Sequence, residues 1–189
     1  TGSTWTQQQK IIPTDLTTFS NFGFSVDIQG DTVVIGARFL NFDNNPSQKY
    51  GAAYVWTRSG STWTQQQRLE HPTPVSFDGF GASVAISGNT IAVGVTGRDV
   101  SPSVTSTGSV CVFTISGSTW TLQQELVAND PQAGAQFGAK VDIDGDNIAV
   151  GVPFQNIDGV GSAGSVYVFN NDTFGNTSFT GTSLYICSI

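Results

Sequence analysis

The sequence predicts an all-β protein made of three tandem units, each with four short antiparallel strands. The stretch GSTWTQQQ stands at 2–9 and again at 60–67, and GSTWTLQQ at 117–124 follows the same pattern. Between these copies, apolar and polar residues alternate in short runs, and no segment shows a helical period. Glycine and β-branched residues are frequent in every run, which also favours strands over helices.

Four landmarks recur in the same order in each unit. The tryptophans of the opening motif and the Phe-Gly pairs are 58 and then 57 positions apart. The landmark residues are Trp5, Trp63 and Trp120; Phe22, Phe80 and Phe137; Gly36, Gly94 and Gly151; and Gly51, Gly108 and Gly164. Repetition at a fixed period is the sequence signature of a repeat architecture.

The strands of a unit can be assigned in order. The first, such as FGFSVDI, alternates in polarity and ends at a Gly with Asp or Asn, which suits a tight hairpin turn. The second, such as TVVIGA, is apolar throughout and is expected to be covered on both faces. A variable loop leads to the third strand, such as AAYVW, and a short turn leads to the outer fourth strand, such as TWTQQQRL.

Four antiparallel strands per repeat predict the blades of a β-propeller. Residues 1–21 then hold the fourth strand of a preceding blade with its connection. The blade repeats span 22–79, 80–136 and 137–189. Propellers use about four to eight blades, so three blades indicate either a segment of a larger propeller or copies that assemble through the unpaired strand at 4–11.

At these residues the chain resembles the FG-GAP repeat family, known from the propeller of integrin α-subunits and from secreted microbial and algal proteins. The Phe-Gly pairs supply the FG, and GAR at 36–38, GVT at 94–96 and GVP at 151–153 stand where the family has Gly-Ala-Pro. The resemblance covers about residues 2–169 and is closest to the secreted microbial and algal type. It implies an extracellular β-propeller.

The resemblance also implies a test for calcium, because blades of this family often bind it between their first and second strands. Asp142, Asp144 and Asp146 stand at alternate positions there in the third unit. The loop lacks the family's last carboxylate, and calcium takes about six to eight oxygen ligands. We therefore expect a plain hairpin turn without metal or other cofactor, and these aspartates are weak metal candidates only.

Composition argues against several classes of partner. The chain has 14 acidic and 7 basic residues, a net charge of −7, and no basic cluster. Nucleic acids and anionic membranes both require clustered Lys and Arg. No apolar run approaches the ~20 residues of a membrane-spanning helix. Charged residues are only 11% of the chain, and such a neutral polar composition is common in extracellular β proteins.

No catalytic constellation is evident, so the chain is predicted not to be an enzyme. The one histidine, His71, lies in a Pro-rich connection between units and is expected to be a solvated side chain. Nothing in the sequence places a nucleophile and an orienting acid beside it. The recurring aromatics are assigned to packing between blades. Recognition is assigned to the variable loops, with Phe39 and Phe154 as candidate ligand-binding residues.

The C-terminal stretch departs from the repeat. A Phe-Thr pair replaces the motif's Trp-Thr, so 179–186 is predicted to be a degenerate fourth strand. Asn171 and Asn176 begin Asn-x-Ser/Thr sequons, which predict glycosylation in a secreted eukaryotic protein. Cys111 and Cys187 either form one disulfide or are two small buried apolar residues, and the sequence leaves both alternatives open.

The sequence therefore predicts a non-catalytic β-propeller module, extracellular or at the cell surface, that serves adhesion or structural assembly. Its expected partners are other protein chains or copies of itself, bound through blade edges and loops. The alternative is a carbohydrate-binding or accessory propeller of a secreted enzyme, with glycans as partners. Neither nucleic-acid binding nor membrane insertion is expected.

Overall fold

The computed structural model describes residues 3–41, 47–100 and 103–171, and every regular element within them is a β-strand. The strands form three antiparallel sheets in which neighbours in sequence are neighbours in space. The first sheet contains β1 (Phe22–Gln29), β2 (Thr32–Ala37), β3 (Ala52–Ser59) and β4 (Thr62–Leu69). The second contains β5 (Phe80–Ser87), β6 (Thr90–Val95), β7 (Ser109–Ser116) and β8 (Thr119–Leu126). The third contains β9 (Lys140–Asp144), β10 (Asn147–Val152) and β11 (Ser165–Asn170).

The all-β prediction and the four-stranded blade are confirmed by the first two sheets. The third sheet has three strands within the described residues, and the predicted strand at 179–186 lies outside them. Across the described ranges, no helix is long and apolar enough to cross a membrane.

A two-residue turn closes the first hairpin of each blade. In the first blade Gln29 pairs with Thr32, so Gly30 and Asp31 form the turn. Gly30 has a φ of 57°, and Gly88 and Gly145 have φ values of 55° and 56°. Only glycine adopts this left-handed backbone without steric cost, which is why the Gly recurs in all three units.

The blades pack face to face in an open row. One cluster of buried apolar residues lies between the first and second sheets, and another lies between the second and third. The first strand of each following blade, β5 or β9, contacts the sheet before it. The second strand β6 is apolar on both faces because both neighbours cover it, as the sequence predicts.

The landmark glycine on the second strand permits this close approach. A Cβ atom added to Gly36 would lie 2.1 Å from the carbonyl oxygen of Gly81, the Phe-Gly glycine of the next blade. Gly94 stands in the same relation to Gly138, also at 2.1 Å. Any side chain there would collide with backbone. The second-strand glycine of one blade and the Phe-Gly glycine of the next blade therefore form a single close contact.

Candidate interaction site

Adjacent blades are joined by the glutamines of one outer strand and the tryptophan of the next. Gln67 donates from Nε2 to the carbonyl oxygen of Trp120 at 2.8 Å, and its Oε1 accepts the backbone N–H of Trp120 at 2.8 Å. Gln66 Oε1 accepts the indole N–H of the same tryptophan at 3.2 Å. We name this arrangement the Gln–Trp clasp. It satisfies backbone groups on the side of β8 that has no neighbouring strand.

The same clasp forms at the N-terminal end of the first blade. Gln9 exchanges hydrogen bonds with the backbone of Trp63 at 3.1 and 2.8 Å, and Gln8 Oε1 accepts its indole N–H at 3.2 Å. Residues 3–11 therefore lie where the outer strand of a preceding blade would lie. They form no strand, since no third strand lies beside them within the described residues. Trp5 is 101% exposed.

The two end blades expose the apolar faces that interior blades bury. Val26 and Ile28 on β1 are 63% and 58% exposed. Their repeat equivalents, Val84 and Ile86 on β5, are 7% and 6% exposed because they pack against the first sheet.

The opposite end has the matching feature. Val166 and Val168 on β11 are 66% and 70% exposed, whereas their equivalents Val110 and Val112 pack against the third sheet. Two interfaces between blades form within the chain. Each end of the row exposes one of the two faces from which such an interface is built.

The structure places the candidate loop aromatics on different blades. Phe39 and Phe154 occupy the same repeat position, and their backbone N–H groups donate to the carbonyl oxygens of Ser20 and Ala135. Phe39 is partly buried on the first blade, and Phe154 is exposed on the third. They do not form one site.

Phe39 belongs to a cluster of aromatic and cationic side chains that the sequence did not reveal. The Arg38 guanidinium carbon lies 4.9 Å from the Phe39 ring centroid and 5.1 Å from that of Phe24. Lys49 Nζ lies 5.3 Å from the Phe39 ring and 5.2 Å from the exposed Phe19 ring. Neither cation is paired with a carboxylate of the described residues. We name Phe19, Phe24, Phe39, Arg38 and Lys49 the aromatic–cation patch.

The expectation that His71 is solvated was wrong, because the Pro-rich connection folds against the second blade and buries the ring. Its Nδ1 accepts the backbone N–H of Thr73 at 3.1 Å, and its Nε2 lies 3.4 Å from Glu125 Oε1. Arg98 extends the cluster, since its Nε lies 3.5 Å from the same carboxylate oxygen and its Nη1 lies 3.3 Å from Asp78 Oδ2. The result is a partly buried ion network between connection and blade.

This network shifts the ionisation of its acids. The adjacent His71 ring is the largest cause that lowers the pKa of Glu125 to about 2, against the opposing effect of burial. Burial raises the pKa of Asp78 and, more strongly, that of the Cys111 thiol. Cys111 is therefore a neutral, buried thiol, and Cys187 lies outside the described residues.

His71, Cys111 and Glu125 are the one group of three potential metal ligands in the described ranges, with ligand atoms within 4.8 Å of one another. Their chemistry does not fit a metal. Because Nδ1 of His71 accepts the Thr73 N–H, the neutral ring carries its proton on Nε2, the nitrogen that faces the group. A metal would need that nitrogen unprotonated and a thiolate sulfur, and burial opposes the thiolate.

In the other two blades a tyrosine stands at the repeat position of Cys111. Tyr54 and Tyr167 are the repeat equivalents of Cys111, and their hydroxyl groups donate to Asp15 and Asp130 of the preceding connections. Burial is the largest cause that raises the pKa of both tyrosines, that of Tyr167 to about 12. In the first and third blades a tyrosine at this repeat position ties the connection to the blade, whereas in the second blade His71 of the connection contacts Glu125 instead.

The remaining candidates lie on the third blade. Asp142 and Asp144 belong to β9, and Asp142 Oδ1 accepts the N–H of Ile143 at 3.0 Å. Asp146 lies in the turn that follows. Asn171 is exposed just after β11, and its N–H donates to the Asp146 carbonyl at 2.8 Å. Asn176 lies outside the described residues.

Face-packed meander sheets with open end faces define a β-propeller-type protein-interaction module. The profile of the FG-GAP repeat family matches the chain three times, over residues 5–56, 63–113 and 120–169. The chain belongs to the FG-GAP repeat family, and the resemblance inferred from its Phe-Gly pairs is confirmed. Repeats of this family are generally non-catalytic and typical of extracellular or surface proteins. A search of curated proteins found no match.

Proposed function

We propose that the chain is a non-catalytic module of an extracellular or cell-surface protein, and that it serves structural assembly or adhesion by packing its end blades against other protein chains. The observation that supports this is the exposure of Val26 and Ile28 at one end and of Val166 and Val168 at the other. Burying one such side chain contributes about 1.5–3 kcal/mol. Contiguous exposed apolar faces mark interaction surfaces.

An extracellular setting agrees with the surface chemistry. The chain carries few charges for its length and a net charge of −7, and the sequon at Asn171 lies on an exposed strand end. Peptide mapping by mass spectrometry of the protein from its native source tests whether Asn171 is glycosylated. An unmodified Asn171 peptide would contradict glycosylation at this sequon.

The assembly proposal is tested by placing carboxylates on one end face. The double variant Val26→Asp, Ile28→Asp should remain folded, because both side chains already contact solvent, and should lose association. Light scattering is expected to give particles heavier than the 19.9 kDa chain for the unmodified protein and the chain mass for the variant. Val127→Asp, at an exposed position between the second and third blades, is the matched control. A variant that associates like the unmodified protein would contradict the proposal.

The aromatic–cation patch supports a second candidate, an accessory module that binds acidic polysaccharide. Exposed phenylalanine rings pack against sugar faces, and the cations Arg38 and Lys49, which have no carboxylate partner among the described residues, match carboxylate or sulfate groups. A glycan array with sulfated and uronic-acid polymers tests it. Binding should be lost in Phe39→Ala and in Lys49→Gln and retained in Phe154→Ala, whose ring stands on another blade.

A further inference from the structure

A cavity of about 90 Å³ opens between β8 and the third sheet. Its apolar lining comes from both blades and consists of Val112, Leu126, Ile148 and Phe169. The side-chain amides of Gln123 and Gln124 also line it, and neither has a hydrogen-bond partner among the described residues. Apolar side chains beside two amides without a described partner suit a ligand that is both aromatic and polar.

Trp120 fills the equivalent place one blade earlier. It packs in the core between the first and second blades against Val55, Leu69, Ile91 and Phe113. These four residues are the repeat equivalents of the four apolar residues that line the cavity. The clasp residues Gln66 and Gln67 are likewise the equivalents of Gln123 and Gln124. The cavity is therefore a tryptophan site that no described residue occupies.

The chain carries a tryptophan of the same motif that is buried against none of the described residues. Residues 2–9 are identical to 60–67, and Trp5 is fully exposed. Gln8 and Gln9 of the same segment already clasp Trp63. The segment is thus anchored at its glutamines, while its tryptophan projects away from the first blade's core.

We propose that Trp5 of one copy fills this cavity in a second copy of the chain. Residues 5–11 then pair with β11 of that copy as its outer strand. The register of β7 with β8, carried over by repeat position, places Trp5 opposite Asn171, Thr6 opposite Asn170 and Ile11 opposite Val166. This proposal rests on the proposed function, assembly through the end blades, and names a second copy of the chain as the partner. Because the two surfaces differ, the contact is heterologous and repeats head to tail.

The same contact brings the two apolar end faces together. Val26 and Ile28 of one copy meet Val166 and Val168 of the other, as β5 meets the first sheet within one chain. Gly151 then takes the role of Gly36 and Gly94, with a carbonyl of the second copy against it. Within one chain an added Cβ at Gly151 would make only ordinary van der Waals contact, with its nearest described neighbour, Lys140 Cβ, at 3.5 Å.

This difference supplies a variant that blocks assembly without disturbing the blade. We expect Gly151→Ala and Trp5→Ala each to lower the particle mass in light scattering to the 19.9 kDa of the chain, with unchanged melting of the dilute protein. Gly161→Ala, whose added Cβ meets only the Asn156 side chain at 3.7 Å, should assemble normally. If particles dissociate with charged end faces but persist in Trp5→Ala and Gly151→Ala, the head-to-tail contact is overturned and the proposed function stands.

Cross-linking reports the register directly. Chains with Thr6→Cys are mixed with chains carrying Asn170→Cys, both in a Cys187→Ser background, and oxidised with diamide. A disulfide-linked heterodimer is expected, and it should be lost when Trp5→Ala is added. Ser116→Cys, at the exposed end of β7, should not cross-link to Thr6→Cys. An intrachain disulfide between Asn170→Cys and Thr180→Cys would instead show residues 179–186 in the site and overturn the proposal.

Discussion

Gln67 and Trp120 exchange two hydrogen bonds of 2.8 Å across the seam between the first and second blades. A primary amide is the side-chain group that presents one donor and one acceptor in the spacing of a peptide group. It can therefore pair with a backbone N–H and C=O on an edge strand, in place of a neighbouring strand. This explains why the glutamines of the motif recur together with the tryptophan.

The clasp should contribute measurably to stability. Gln67→Ala removes both bonds and leaves the Trp120 backbone groups unpaired, which we expect to lower the free energy of unfolding by about 1–2 kcal/mol. Gln67→Glu should cost more, because its carboxylate faces the Trp120 carbonyl oxygen. Urea denaturation measures both. Gln65→Ala, at an exposed position of the same strand, is the control and should change little.

Truncation of two tryptophans of the same motif should have different effects on stability. Trp120 is buried in the core between blades, so Trp120→Ala is expected to lower the free energy of unfolding by about 3–5 kcal/mol. Trp5 is fully exposed, so Trp5→Ala should leave the melting temperature of the dilute protein unchanged. Equal losses in both variants would show that Trp5 packs against its own chain.

The repeat pattern made the blades predictable from the sequence, because the strands are short, local and bounded by glycine turns. What the pattern could not show is which chemistry links one blade to the next. Gln67 and Trp120 are 53 positions apart, and their contact depends on how far the sheets are offset. The burial of His71 was missed for a related reason. It depends on the small side chain of Cys111, which replaces the tyrosine found at that position in the other blades.

The aromatic–cation patch was also beyond the sequence pattern. Phe39 was identified from its variable loop, but Phe19 precedes the first strand and Phe24 lies within it. The backbone at Phe19 is left-handed, with a φ of 64°. Phe77 repeats this conformation in the second unit with a φ of 69°. Because this conformation is unfavourable for phenylalanine by about 1–2 kcal/mol, the sequence pattern does not predict it at Phe19 or Phe77.

The second-strand glycines should differ in their tolerance of a methyl group. Gly36→Ala and Gly94→Ala place Cβ 2.1 Å from a backbone oxygen of the next blade, and we expect each to lower the free energy of unfolding by about 2–3 kcal/mol. Gly151→Ala should leave it nearly unchanged, because the added Cβ would have no described neighbour closer than 3.5 Å. Thermal melts of the three variants make the comparison. A large loss at Gly151 in dilute protein would contradict the packing described for the third blade.

Calcium should have no effect on the third blade. We propose that Asp142, Asp144 and Asp146 do not form a calcium site, because three carboxylates along a strand and turn supply too few of the roughly six to eight oxygens that calcium takes, and one already accepts a backbone N–H. The melting temperature should be the same with millimolar calcium and with chelator. The variant Asp142→Asn, Asp146→Asn should match the unmodified protein in both conditions, and a chelator-dependent fall would show that the site exists.

The ion network at His71 should make stability depend on pH through Glu125. Its pKa in the folded chain is about 2, against 4.5 for an ordinary glutamate. The folded state therefore holds the carboxylate charged at a pH where the unfolded chain protonates it. The contribution of Glu125 to the free energy of unfolding is on the order of 2–3 kcal/mol. It is fully present above about pH 4.5 and is lost as the pH falls toward 2.

Glu125→Gln removes this contribution, so the variant should be less stable at pH 7 and nearly equal to the unmodified protein at pH 2. Urea denaturation at intervals between pH 2 and pH 7 measures the difference between the two. Asp78, whose pKa burial raises, contributes equally to both proteins and cancels in the subtraction. Asp158→Asn, at an exposed loop position, should run parallel to the unmodified protein. A Glu125→Gln difference that stays constant across this range would show that the carboxylate gains nothing from His71 and Arg98.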